Sequence, residues 1–151
     1  MKVLIDNRHP SVAIPEETIG LWVEHILEAL GLSEAEVSIV LMDDDQIADL
    51  NLRYLSRKGP TNVIAFPMGE GDGVHLWPQL LGDVVISLDA ARKESEDAGI
   101  PYSGRILALL VHGILHLIGY DHVGDEDRQR QMEAEEGRIL EIVRVAVRDL
   151  C

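Results

Sequence analysis

Three of the six histidines in this 151-residue chain fall in one short stretch, His112-Gly-Ile-Leu-His116-Leu-Ile-Gly119-Tyr-Asp-His122. His112 and His116 stand four residues apart, the spacing that puts two side chains on one face of a helix. Gly119 permits a sharp turn after that helix, and such a turn brings His122 back toward the pair. Neutral imidazole is a good zinc ligand, and three protein ligands leave a fourth position open for water. Three imidazoles gathered without a metal would repel one another when protonated and cost desolvation when buried. The expectation is one Zn2+ per chain, held by His112, His116 and His122, although nickel or copper would also suit nitrogen ligands.

The spacing H-x3-H-x5-H is also that of the metzincin proteases, which need Glu directly after the first His as general base. Here that residue is Gly113, and no Met-turn follows, because Met132 lies in an acidic helix pattern. The cage is present and the peptidase base is absent, so peptide cleavage is disfavoured.

The histidines need a rigid element to carry them. A helix is predicted over about residues 104–118, capped by Ser103 and apolar nearly all round, from Ile106 and Leu107 to Leu117 and Ile118. All-round apolarity marks a helix enclosed by protein. The flanking pattern supplies the enclosure. Strands are predicted over 2–6, 37–42, 63–66 and 81–87, where apolar and β-branched runs end in turn residues. Pro15 opens a first helix that ends at Gly31, with Glu16 and Glu17 in its first turn. Further helices are predicted over 44–55, 89–98 and about 125–149, and residues 56–62 and 68–79 read as loops. The order β α β α β β α α α implies an α+β fold. One layered domain spans 1–151, with a small mixed sheet of about four strands and about five helices around the central, ligand-bearing helix.

Composition narrows the classes. The apolar share of 46% and charged share of 26% are those of a globular domain, not a disordered or collagenous one. The single cysteine, Cys151, allows no intrachain disulfide and no Cys-rich zinc ribbon. Val3-Leu4-Ile5 is too short for a signal-peptide core, and no run approaches the ~20 apolar residues of a membrane span. A cytoplasmic location and no membrane partner are expected. Thirteen Lys and Arg against 27 Asp and Glu give a net charge of −14, which repels polyanions at long range. A nucleic-acid ligand would therefore need a local reason to bind, such as a cation or a basic island. Arg53, Arg57 and Lys58 form such an island. Asp125, Glu126, Asp127, Glu133, Glu135 and Glu136 read as a solvated helix face, or as a docking surface for a basic protein.

Three blocks together resemble the YbeY family of bacterial single-strand-specific endoribonucleases. They are Leu50-Asn51 through Tyr54 with Pro60-Thr-Asn-Val-Ile-Ala-Phe-Pro67, then Leu81-Gly-Asp-Val-Val-Ile-Ser87, then His112–His122. The last resembles the signature H-G-x-L-H-L-x-G-Y-D-H at every fixed position. The resemblance implies an α+β fold, zinc on His112, His116 and His122, and cleavage of single-stranded RNA. It also implies a role in maturing the 3′ end of small-subunit ribosomal RNA and in ribosome quality control. The partners implied are ribosomal RNA, the small ribosomal subunit and its assembly factors, with no DNA expected. The family usually carries an Arg directly after the Tyr of the first block, and that Arg is implicated in activity. Here that position is Leu55, so the role passes to Arg57, whose plainer alternative is a solvated loop arginine. The catalytic set implied is His112, His116 and Arg57.

Two other functions fit the same residues: a zinc-stabilised ribosome-assembly factor without catalysis, and a metallo-hydrolase of another substrate. For RNA cleavage, either water or the ribose 2′-OH can attack phosphorus. Water is favoured, because an open zinc position normally holds one. Asp121 is a candidate to orient His122 or to cap the turn, and Asp83 reads as a polar strand end. His9, His25 and His75 stand alone, His25 on a polar helix face and the others in loops, with His75 beside Trp77.

Overall fold

The computed structural model describes residues 2–68, 80–120 and 125–148. Within them the elements follow the predicted order: β1 (Lys2–Asn7), α1 (Glu16–Ala29), β2 (Glu36–Met42), α2 (Asp44–Leu55), β3 (Val63–Pro67), β4 (Leu80–Ser87), α3 (Leu88–Ala98), α4 (Tyr102–Leu117) and α5 (Glu126–Arg148). The four strands form one mixed sheet in the order β1-β2-β4-β3. β1, β2 and β4 run parallel, and β3 lies antiparallel to β4 at the sheet's edge.

Period-two alternation divides the sheet between two cores. Val37, Ile39 and Leu41 of β2 and Val84 and Ile86 of β4 face the larger one, with α1, α4 and α5. Met42, Ile64 and Val85 face the other way, toward Ile47 of α2. α4 is the centre of the larger core, with Ile106, Leu107, Leu109, Leu110, Val111, Ile114, Leu115 and Leu117 buried. Complete burial of a side chain such as Leu110 is worth about 1.5–3 kcal/mol, so this helix is firmly anchored in the core. Gly113 lets it lie directly on the sheet: a Cβ there would sit 2.5 Å from Val84 Cγ1 and 3.2 Å from Val63 Cγ2.

Two helix starts differ from the sequence expectation. α3 begins at Leu88, because the Ser87 hydroxyl accepts from the Ala90 amide and serves as the cap. α4 begins at Tyr102, not after a Ser103 cap. Pro101, extended at φ −61° and ψ 144°, holds the cap position. The Tyr102 hydroxyl donates to Leu88 O at 3.0 Å and ties the starts of α3 and α4 together. α2 starts as expected at Asp44, capped by Asp43 in a reciprocal capping box with Gln46.

Candidate active site

Near the C-terminal end of α4, the rings of His112 and His116 meet edge to face with centroids 4.6 Å apart. Their Nε2 atoms are 3.0 Å apart. On the far side of the first ring, His112 Nδ1 lies 2.5 Å from Glu136 Oε1 of α5. A carboxylate accepts only, so Glu136 accepts a hydrogen bond from His112 Nδ1–H and leaves the Nε2 lone pair of His112 pointing toward His116. A carboxylate behind an imidazole is the usual support for a metal-ligating histidine: it sets the tautomer and raises ligand basicity. The donor set therefore fits a zinc ion at this end of α4. His122, the third expected ligand, lies outside the described residues, as do Asp121, His75, Trp77 and Cys151. Among the described residues no three His, Cys, Asp or Glu side chains converge to hold a metal.

The pair opens on a groove of about 880 Å³ that Arg57 and Lys58 also line. The cations reach it because the loop after α2 is pinned. Asn51, only 5% exposed, donates through Nδ2 to Gly59 O at 2.9 Å, and its carbonyl accepts from Arg57 N. Between these bonds Ser56 turns the chain with φ 54°. Leu55, at the position where the resembled family carries Arg, lines the same groove. Arg128, in the first turns of α5, lines it too and lies 3.6 Å from Asp125.

Several expectations change. Arg53 is not part of the groove: it pairs with Asp49 on the exposed side of α2. Glu136 is not on a solvated face, because α5 turns it inward to His112. Asp83 sits on the opposite face of β4 from Val84 and borders a separate cavity with Tyr54 and Phe66, so it is remote from the histidines. His9 is a loop residue, but its side chain is 5% exposed and contacts Asp89 Oδ1 at 2.8 Å. His25 is half-buried, and its Nε2 has no hydrogen-bond partner among the described residues.

Sequence reasoning missed Asn51, Arg128 and Glu136. A signal existed for the last two. Met132, Ile139 and Val143 are the buried stripe of α5, Glu136 lies on that stripe one turn after Met132, and Arg128 continues it one turn before, at the exposed start of the helix. A charged residue on a buried stripe has a partner to find.

The chain is similar to several known proteins. The family model described as Endoribonuclease YbeY matches residues 4–144. A protein of that name from Syntrophotalea carbinolica is 43% identical, over 93% of this chain and 94% of its own. Another of the same name, from Geobacter sulfurreducens, is 45% identical over 95% and 96%. The solution structure of TM1509 from Thermotoga maritima superposes with a TM-score of 0.68 at 22% identity, over 97% of this chain and 92% of that one. At that identity it speaks for the fold alone.

Proposed function

This chain belongs to the Endoribonuclease YbeY family, and from that premise we propose that the groove beside α4 cuts single-stranded RNA with one Zn2+ held by His112, His116 and His122. The enzyme is an endoribonuclease, a hydrolase of RNA phosphodiester bonds. Its substrate in this proposal is the 3′ end of small-subunit ribosomal RNA, during maturation and quality control of the ribosome. It acts in the cytoplasm with the small subunit and its assembly factors. Among the described residues no single helix is long and apolar enough to cross a membrane.

The observation that carries the proposal is the meeting of His112 and His116 through Nε2, 3.0 Å apart, in the groove that holds Arg57 and Lys58. Bound zinc supplies a Lewis acid for the charge that develops on the phosphate. The chain's own residues do the rest. Glu136 keeps the His112 proton on Nδ1 and fixes the ring. Arg57 and Lys58 hold the backbone phosphate, which a protein of net charge −14 must attract locally. Gly113 packs on Val84 and Val63, so a peptidase-type Glu at that position has no room.

The test uses metal-replete protein, free of contaminating nuclease, with end-labelled single-stranded RNA. Wild type is expected to cut it, His116→Ala to lose both cutting and zinc, and Arg57→Ala to cut at least 10-fold more slowly with zinc retained. Equal cutting by His116→Ala would overturn the proposal.

A further inference from the structure

Among the described residues β3 is the terminal strand of the sheet, and it forms one wall of the histidine groove, where Val63, Ile64, Ala65 and Pro67 are among the lining residues. An antiparallel strand sends its backbone groups alternately toward its neighbour and away from it. The register fixes which are which. Ser87 N donates to Asn62 O, and Met68 N donates to Leu81 O. Between them Ile64 pairs with Val85 and Phe66 with Asp83. Even-numbered residues of β3 thus bond to β4, and Val63, Ala65 and Pro67 turn their backbone groups to the open edge. Pro67 is consistent with this, since its missing N–H falls at an outward position where the ladder loses nothing.

Among the described residues nothing pairs with these groups, so Val63 and Ala65 present two N–H donors and two C=O acceptors to the groove. Their side chains stand perpendicular to the sheet, packed against the core under α4. Gly113 touches Val63, which places this edge one helix residue from His112. Unpaired strand edges are templates for whatever can match their hydrogen bonds. An extended peptide is one such ligand. Here the groove also carries Arg57, Lys58 and Arg128, which favours a polyanion.

We propose that the open backbone of β3, the amides and carbonyls of Val63 and Ala65, is a strand-edge subsite that hydrogen-bonds the base edges of single-stranded RNA. The proposal rests on the endoribonuclease assignment and adds to it a source of selectivity. Bases of a single strand offer their Watson–Crick edges, whereas those of a duplex are engaged with each other. The phosphates lie along Arg57, Lys58 and Arg128, and the bases turn toward β3.

Amide hydrogen exchange tests this on the intact, zinc-loaded protein. The probe is a phosphorothioate single-stranded RNA, which keeps the backbone charge and resists cutting. At saturation the Val63 and Ala65 amides should exchange at least 10-fold more slowly. Those of Ile64 and Phe66, already bonded to β4, should hardly change. The same sequence as a duplex should leave all four alone. In parallel, Ala65→Pro removes one outward donor and no ladder bond, and should raise KM for single-stranded RNA about 5- to 10-fold with zinc content unchanged.

Unchanged Val63 and Ala65 exchange under bound RNA overturns the proposal. So does equal protection by the duplex, or protection by an extended peptide and not by RNA. If Ala65→Pro does not fold, the exchange measurement on wild type still decides. If wild type cuts no RNA, the endoribonuclease assignment falls, and exchange still reports separately whether RNA occupies the edge.

Discussion

Glu136 Oε1 lies 2.5 Å from His112 Nδ1, across 24 residues of sequence, and so couples α5 to the histidine-bearing face of α4. Removing such a carboxylate typically lowers metal affinity 10- to 100-fold. Glu136→Ala should show that loss in a chelator competition, and Glu136→Gln, which still accepts from Nδ1–H, a smaller one. Metal binding adds to folding stability by mass action, so the melting temperature of zinc-loaded Glu136→Ala should also fall. Unaltered affinity in Glu136→Ala would show that the contact does not support the ligand.

The contact of Gly113 with Val84 sets how closely α4 approaches the sheet. A methyl group there would sit 2.5 Å from Val84 Cγ1, well inside van der Waals distance. Overpacking of this kind costs about 1–3 kcal/mol. Gly113→Ala should lower the urea midpoint accordingly, despite the better helix propensity of Ala. Val84→Ala in the same chain should cost less than it does alone, because it makes room for the added methyl. Strict additivity of the two substitutions would show that the contact is not the cause.

Asp89 gives the acid side of the stability profile. The hydrogen bond from His9 holds its carboxyl below the ordinary value of 3.8, with help from the Asp44 amide and Arg92 and against its partial burial. A depressed carboxyl pKa stabilises the fold fully above the unfolded value, and that stability is lost as pH falls through the folded value. Wild type should therefore be more stable than Asp89→Asn at pH 7, and the gap should narrow below about pH 4. Urea melts at pH 7 and pH 3 check this; a gap that stays constant would remove Asp89 from the acid limb.

Much of this was legible in the chain, and the rest was hidden for identifiable reasons. The helix carrying His112 and His116 announces itself because nearly every position from Ile106 to Leu117 is apolar. The four strands show in their β-branched runs. The starts of α3 and α4 were misplaced because Ser87 and Pro101 act as caps only where their neighbours turn, which periodicity does not encode. Glu136 was masked by the acidic residues around it, and its role depends on how α5 rolls against α4. Arg57 reaches the groove through two hydrogen bonds to Asn51, a residue whose burial no local pattern gives. The outward parity of Val63 and Ala65 follows only from the pairing of β3 with β4.

The nucleophile leaves a chemical record. If the ribose 2′-OH attacks phosphorus, the cut leaves a 2′,3′-cyclic phosphate, and a 2′-deoxy residue 5′ to the bond blocks it. If water attacks, neither holds. Gly113 occupies the position of a neighbouring carboxylate base, and Asp83 is on the far face of β4. Among the described residues the groove therefore offers the 2′-OH no carboxylate comparable to a peptidase base. Water would need none if the histidines hold zinc, because such an ion would lower the pKa of water to about 7. Water is thus the expected nucleophile. An oligonucleotide with one 2′-deoxy residue at the mapped bond should still be cut there, at a rate within about 10-fold of the all-ribose strand, and no cyclic phosphate should accumulate. Resistance at that bond alone, with cyclic ends at the remaining sites, would transfer the attack to the ribose and leave the ribonuclease assignment in place.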